Sequence, residues 1–433
     1  MRDAKRGSFL ARKNVDLIVV HAKQLVTARG HSQVPATGAQ LEDLGVVEDG
    51  ALAVYQGIIT KVGSTSEILA EYRGALSIDA TDRIVAPGFV DPHTHFVFAG
   101  SRETELELKI KGAGYLEILR KGGGILRTVS DTRAASKEQL LLICRKRSEN
   151  LLCHGTTTAE AKSGYGLTLE DEVKSLEVIR QLNDEGPLSL VPTFLGAHAI
   201  PPEFEGITGE YVAQVCDKWI PEIARRKLAT FCDVFCEKGV FEIDNSRRIL
   251  QSGKRAGLMP KIHADEFYPL GGAELAAEVG AVSADHLLCV SAAGLEQMKR
   301  ASVMAVLLPA APLTLMLDRF ADARKMIADG VAVSLGSDLS PSCWLENHQL
   351  VIALACYKLR MTPAEAIMAS TINAAHSIRK AHEIGSIEVG KKADLIILDA
   401  PDFRFLGYRF GTNMVDKVVK NGKLIVESGR LNS

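Results

Sequence analysis

Eight strand-like segments alternate with helical segments through the middle of the chain, and this alternation is the strongest constraint on its fold. Alternating strands and helices predict a parallel sheet. Eight such units over about 250 residues are typical of a closed (β/α)8 TIM barrel. A doubly wound open sheet is the alternative, but Gly122-Gly-Gly124 lies between helical segments, whereas a phosphate-binding loop directly follows a strand. The predicted strands are 85–95, 156–162, 188–197, 231–237, 260–264, 281–286, 304–309 and 331–338.

Both ends of the chain contain short segments rich in β-branched residues, and Asn421-Gly422 between two of them is a strong hairpin signal. We expect these ends to form one small β-sandwich, from residues 1–84 and 385–433, beside a barrel at 85–384. Residues 1–14 are expected to be a flexible arm. The predicted strands of the sandwich are 15–21, 51–55, 58–62, 393–398, 417–420 and 423–426.

The charge balance excludes some classes of partner. The 51 basic and 53 acidic residues nearly cancel, so we expect no nucleic-acid or membrane partner. No stretch is long and apolar enough to span a bilayer. The eight cysteines are scattered, which favours reduced thiols in a cytoplasmic protein over a disulfide framework. Cys232 and Cys236, the only close pair, lie in a strand-like segment and are expected to be buried structural thiols.

Titratable residues recur at the ends of the predicted barrel strands, where the active site of such a barrel lies. His93 and His95 are two residues apart, so in a strand they point to the same side. Together with His263 and Asp338 they are the favoured metal ligands, a set that suits Zn²⁺ and tolerates Fe or Mn. A metal there lowers the pKa of a water molecule towards neutrality. A helix N-cap is the alternative role for Asp338. The other strand-end residues are Glu160, Lys162, His198, Glu237, Glu266 and His286.

Several of these residues have two possible roles. Glu266 is either a proton shuttle or a solvated loop carboxylate. His286 and His198 either contact the substrate or hydrogen bond to the residues around the metal. Arg102 either grips a substrate carboxylate or forms a surface salt bridge. Tyr115 and Tyr165 lie in loops that follow predicted barrel strands.

Short motifs in a fixed order connect these residues to a known family. The chain resembles the amidohydrolase superfamily over nearly all of residues 15–430. The motifs include Val90-Asp-Pro-His-Thr-His95, Ala99-Gly-Ser-Arg-Glu103, Gly155-Thr-Thr-Thr-Ala-Glu160, Lys162-Ser-Gly-Tyr-Gly-Leu167, Ile262-His-Ala-Asp-Glu266 and Ser283-Ala-Asp-His286.

The resemblance implies a barrel-plus-sandwich homodimer with one Zn²⁺ or Fe³⁺ per subunit. It implies hydrolysis of the cyclic amide of 4-imidazolone-5-propanoate to N-formimidoyl-L-glutamate, a step of histidine degradation, on a small anionic substrate. By the same resemblance the metal ligands are His93, His95, His263 and Asp338, the catalytic residues are Glu266, His286 and Asp338, and the substrate-binding residues are Arg102, Tyr115, Tyr165, His198 and Glu266.

One departure from the family pattern follows Asp338. Ser340 and Ser342 stand where the family usually has Asn and Gly, and Cys343 replaces a residue that often donates a hydroxyl; these three are also expected to bind substrate. A serine offers fewer donors than an asparagine, so this departure is expected to affect the choice of substrate and not the reaction class. The alternatives are another cyclic amidohydrolase or deaminase for a carboxylate-bearing heterocycle and, last, a catalytically inactive binding barrel.

Overall fold

Two β-sheets organise the chain in the computed structural model, which describes residues 12–112 and 123–432. Eight parallel strands form one sheet and nine strands from both ends of the chain form the other. In chain order the strands are β1 Lys13–Leu25, β2 Val47–Tyr55, β3 Ile58–Ser64, β4 Tyr72–Asp79, β5 Ile84–Pro87, β6 Phe89–Asp91, β7 Thr156–Lys162, β8 Ser189–Ala197, β9 Phe231–Cys236, β10 Met259–Ala264, β11 Ser283–His286, β12 Met304–Leu307, β13 Val333–Leu335, β14 Leu395–Leu398, β15 Val415–Lys420, β16 Lys423–Glu427 and β17 Arg430–Leu431.

The eight-stranded sheet runs from β6 to β13 in sequence order, with every pairing parallel. A parallel bridge between Thr94 and Leu339 joins the chain beyond β6 to the chain beyond β13 and closes the ring. Strand β7 is buried along its whole length, as expected for a strand with side chains inside the ring on one face and helices on the other. The predicted (β/α)8 barrel is therefore confirmed.

Helices follow the barrel strands, and several begin at a capping side chain. Ser136 accepts a hydrogen bond from the Gln139 N–H, and Thr168 accepts one from the Asp171 N–H. No helix within the described ranges is long and apolar enough to cross a membrane. The α-helices are Thr65–Glu71, Glu103–Ile110, Ile125–Ala134, Lys137–Cys153, Leu169–Glu185, Thr208–Gln214, Ile220–Arg225, Ile243–Arg255, Gly272–Val279, Ala292–Arg300, Ala310–Thr314, Ala323–Ala328, His348–Leu359, Pro363–Ala369, Ile372–Ser377 and Phe405–Tyr408, with 3₁₀ turns at Gly38–Glu42 and Pro202–Phe204 and a π-helical turn at Val215–Trp219.

The second sheet has the order β17-β16-β15-β14-β5-β1-β2-β3, with β4 also paired to β1. The predicted hairpin is confirmed, because Asn421 and Gly422 join β15 to β16 with φ of 48° and 76°. Side chains from both ends of the chain, including Leu17, Val54 and Ile397, share one buried apolar cluster. The division at residues 84 and 385 stays a prediction.

The predicted strand 85–95 is wrong as a single element. Strand β5 pairs with β1 and β14 in the second sheet, and only β6 belongs to the barrel. Gly88 separates them, and a Cβ there would lie 2.4 Å from the Thr157 side chain, so the close approach requires glycine. The predicted arm at 1–14 is also too long, since β1 begins at Lys13.

We expect Asp394→Ala to destabilise the protein. Asp394 accepts a hydrogen bond of 2.6 Å from the Lys420 ammonium, and both side chains are buried. Removing one partner of a buried pair leaves an uncompensated charge, which costs about 3–5 kcal/mol. The midpoint of urea unfolding should fall clearly, whereas Glu427→Ala, which breaks a more exposed pair with Lys417, should change stability by about 1 kcal/mol or less. Equal midpoints for the two variants would contradict this expectation.

Candidate active site

Closure of the barrel brings the histidine pair and Asp338 together. The His95 N–H donates to the Leu339 carbonyl at 2.8 Å, and the Asp338 N–H donates to the His93 carbonyl at 3.1 Å. The Asp338 Oδ1 atom consequently lies 3.5 Å from Nε2 of both His93 and His95. His263 enters from β10, with Nε2 3.3 Å from Nε2 of His95. All four side chains are buried.

The alternative role of Asp338 as a helix cap is wrong. Asp338 does not precede a helix, since the next described helix begins at His348 and is capped by Asn347. Asp338 instead has a φ of 55°, a left-handed conformation that is uncommon outside glycine. This backbone turns its carboxylate towards the histidines.

The donor set fits a metal ion. Ligand nitrogens of His93, His95 and His263 lie within 4.8 Å of one another. The His93 Nε2 atom is buried and has no hydrogen-bond partner among the described residues. Burial lowers the pKa of His93 and His95 well below the ordinary histidine value, so both rings are neutral and keep a lone pair for a cation. Burial also raises the pKa of Asp338 to about 7.

Two aspartates behind the histidines fix the ring orientations. The Asp285 carboxylate lies 2.6 Å from Nδ1 of His93, and the Asp233 carboxylate lies 3.1 Å from Nδ1 of His263. A neutral ring that donates from Nδ1 leaves Nε2 free to bind a cation. Each Nε2 then faces the space between the histidines.

Sequence reasoning missed Asp233 and Lys261. Each is a charged residue inside a short apolar strand, and Lys261 lies two residues before His263 on the same side of β10. Lys261 is fully buried, and its ammonium donates to the Pro92 carbonyl at 2.9 Å, directly before His93. The spacing of two residues between Lys261 and His263 was the signal that could have identified Lys261, whereas β9 contains no predicted ligand and Asp233 had only its charge within an apolar strand.

Glu266 and His286 face each other at the same end of the barrel. The Glu266 Oε1 atom lies 3.5 Å from Nδ1 of His286, and both side chains are buried. Burial raises the pKa of Glu266 well above the ordinary range, and the carboxylates of Asp338 and Glu237 act in the same direction. Of the two roles left open for Glu266, the solvated carboxylate is excluded by its burial.

The loop that carries Glu266 is held by its neighbour. The Asp265 carboxylate accepts the N–H groups of Gly271, Gly272 and Ala273, each at 3.0 Å. A carboxylate at a helix N-terminus is stabilised by these unpaired donors and by the helix dipole. Glu266 is thereby attached to the rigid start of helix Gly272–Val279.

His198 and Tyr165 form an aromatic wall beside His95. The His198 ring stacks on the His95 ring with centroids 4.6 Å apart, and Tyr165 lies 5.1 Å from His198. The pKa of His198 is lowered to about 3, mainly by burial and then by His263, and Arg102 acts in the same direction. Arg102 is therefore close enough to influence the pKa of His198. Its Nε atom donates a hydrogen bond to the Thr128 hydroxyl at 2.8 Å. Tyr115 lies outside the described residues.

Ser340, Ser342 and Cys343 form a tight turn after Asp338. The Ser340 hydroxyl accepts the Cys343 N–H at 3.2 Å and lies 3.2 Å from the Ser342 hydroxyl. The Cys343 thiol is buried and donates to the Ser337 carbonyl at 3.5 Å. Ser342 is the one of the three that is partly exposed.

Comparisons with known proteins agree with this architecture. The amidohydrolase family model matches residues 262–425. A zinc-bound adenosine deaminase from Xanthomonas campestris shares the fold, with a TM-score of 0.71 and 19% identity over 98% of this chain and 95% of that one. Guanine deaminase from E. coli does so with a TM-score of 0.70 and 15% identity over 95% and 98% of the two chains. Fold, site and family match define a metal-dependent amidohydrolase.

Sequence relatives narrow the assignment. The imidazolonepropionase of Brevibacillus brevis is 52% identical over 95% of this chain and 98% of its own. That of Geobacillus kaustophilus is 49% identical over 96% and 99% of the two chains. The chain belongs to the imidazolonepropionase family. It is a hydrolase of C–N bonds.

We expect Asp285→Asn to weaken metal binding. An amide can present its NH₂ group to Nδ1 of His93, which would reverse the ring tautomer and place the proton on Nε2. Loss of such an outer partner costs about 10–100-fold in metal affinity. Competition with a zinc-binding dye measures the change, and Asp318→Asn, which alters no residue of the site, is the control. An affinity equal to that of the unaltered protein would show that Asp285 does not orient His93.

Proposed function

We propose that the protein hydrolyses 4-imidazolone-5-propanoate to N-formimidoyl-L-glutamate, a step of histidine degradation. Family membership gives the reaction class, and the approach of His93, His95, His263 and Asp338 to one point is the observation that carries the proposal. The propanoate group makes the substrate anionic, in keeping with an arginine near the aromatic wall.

In this proposal His93, His95, His263 and Asp338 hold one Zn²⁺ or Fe³⁺ per subunit. The bound ion lowers the pKa of a water molecule and polarises the ring carbonyl. Three neutral imidazoles and one carboxylate are suitable donors for such an ion. The positive charge also favours the ionised form of Asp338, opposing the effect of burial on its pKa. Asp338 can then accept a proton as well as bind.

Glu266 transfers the proton in the proposed reaction, and His286 stabilises the negative charge that develops. Glu266 accepts a proton from the attacking water and delivers it to the ring nitrogen as the C–N bond breaks. Burial raises the pKa of Glu266, which favours the protonated state that Glu266 must pass through between accepting and delivering the proton. His286, 3.5 Å from Glu266, donates towards the carbonyl oxygen as negative charge develops there.

The remaining predicted residues hold the substrate. Arg102 binds the propanoate carboxylate. Within the described residues, the only hydrogen-bond partner of its guanidinium is the Thr128 hydroxyl, which accepts from Nε. Tyr165 and His198 pack beside the ring, and the turn at 340–343 forms the wall next to Asp338. Tyr115 completes this set in the proposal. Holding both ends of the substrate makes attack on the carbonyl effectively intramolecular.

The proposal extends to the whole molecule. A cytoplasmic homodimer is its expected form, with the barrel between the two parts of the sandwich along the chain. All eight cysteines are free, in agreement with a reducing compartment.

The direct test is turnover of freshly prepared 4-imidazolone-5-propanoate, followed by its loss of ultraviolet absorbance, with metal content measured on the same sample. We expect rapid turnover with about one metal per chain, because His93, His95 and His263 form one cluster and Asp338 lies 3.5 Å from two of them. Removal of the metal with a chelator should abolish turnover, and addition of Zn²⁺ should restore it. A metal-loaded protein that is inactive on this substrate would contradict the proposed substrate while leaving the reaction class intact.

We expect Glu266→Gln to lower kcat by about 10²–10⁴-fold, the usual contribution of a positioned acid–base group. Metal content should not change, because Glu266 is not among the proposed ligands. Glu296→Gln is the matched control, since Glu296 is exposed and pairs with Arg300 on its own helix. Steady-state kinetics with both variants decide the point. A kcat within a few-fold of the unaltered enzyme would exclude Glu266 as the proton shuttle.

A further inference from the structure

Five charged side chains lie completely buried beneath the histidines. They comprise two ammonium groups and three carboxylates, from Lys162, Lys261, Glu160, Asp233 and Asp285. Burying charges is expensive unless they are paired and hydrogen bonded. The five buried charges are therefore tolerated only because opposite charges lie next to one another. Their arrangement also affects the histidines above them.

Lys162 occupies the centre of this group. Its Nζ lies 2.7 Å from Asp233, 2.8 Å from Glu160 and 3.8 Å from Asp285. Lys261 is placed differently, at 3.1 Å from Glu160 and 3.9 Å from Asp285, and no ion pair with Asp233 is recorded for it within the described residues. Lys162 is thus the ammonium that contacts both aspartates behind the histidines.

Each of those aspartates holds one histidine. Asp233 lies against Nδ1 of His263, and Asp285 lies against Nδ1 of His93. These two histidines come from β10 and from the segment after β6, which are not neighbours in the barrel. A contact from Lys162 to both aspartates is therefore a direct link between ligands that the backbone does not connect.

We propose that Lys162 is a positioning residue of the metal centre, which fixes His93 and His263 together through Asp285 and Asp233. The inference rests on the proposed function, since it assumes that these histidines bind a metal. The physical reason is electrostatic. Three carboxylates with only one ammonium repel one another, so without Lys162 the two aspartates would move away from their present positions. This movement releases the histidine rings from their present orientation.

Lys162→Met tests this proposal, because methionine nearly fills the same volume without a charge. We expect Zn²⁺ affinity to fall by about 10–100-fold, the usual effect of removing a group that orients a metal ligand. We also expect the visible absorption spectrum of the Co²⁺-substituted protein to change, since that spectrum reports the geometry of the ligands. Competition with a metal-binding dye and absorption spectroscopy are the two measurements.

Lys420→Met is the matched control. Lys420 is also a buried lysine with a carboxylate partner, Asp394, but it belongs to the second sheet. We expect it to lower the unfolding midpoint while leaving the Zn²⁺ affinity and the Co²⁺ spectrum unchanged. If Lys162→Met binds both metals as the control does, Lys162 is merely structural and the proposal is wrong.

A second variant covers the case in which Lys162→Met does not fold. The double variant Lys162→Met, Glu160→Gln removes one positive and one negative charge, so the net charge of the group is kept. Asp233 and Asp285 still lose their shared ammonium, and the same fall in affinity is expected. The proposed function fails separately: an unaltered protein that binds neither Zn²⁺ nor Co²⁺ would contradict the metal site itself.

Discussion

The hydrogen bonds that close the barrel are the interaction on which the rest of the site depends. Strands β6 and β13 have three residues each, and neither is long enough to complete the ring. Closure is made beyond both strands, by the Thr94–Leu339 bridge and by the backbone bonds of His95 and Asp338. The peptide groups that close the sheet therefore belong to the proposed metal ligands or to their immediate neighbours. Disturbing one of these segments would alter both the barrel and the site.

Electrostatics then decides how the site can work. Burial keeps His93 and His95 neutral, as a metal ligand must be, and it raises the pKa of Glu266, as a proton shuttle requires. The pKa of Lys162, in the layer beneath, is shifted towards the charged form instead. Burial alone would lower the pKa of Lys162, but the carboxylates around it raise it above the usual range. The neutral rings of His93 and His95 therefore face the cavity, and the charged ammonium of Lys162 lies in the layer beneath them.

Local sequence patterns predicted the barrel and the strand-end histidines because strand periodicity and helix alternation are encoded within short stretches. The split between β5 and β6 was missed because it depends on the distant partner β14 and on the packing of Gly88 against Thr157. Asp233 and Lys261 were missed for a similar reason. Each looks like an isolated charge in its own strand, and its partner comes from a different strand of the ring. Pairings across the barrel require the closed structure.

The turn after Asp338 shows how a departure from the family pattern can leave the chemistry intact. The hydroxyl of Ser340 and the thiol of Cys343 are used within the turn, where they contact the Cys343 N–H and the Ser337 carbonyl. These contacts hold the backbone next to Asp338 without requiring a ligand. In the proposed function, Arg102, which influences the pKa of His198, supplies the recognition of the anionic substrate. In the proposed function, Ser340 therefore alters the contacts to the substrate, while its own hydrogen bond keeps the turn beside Asp338 in place.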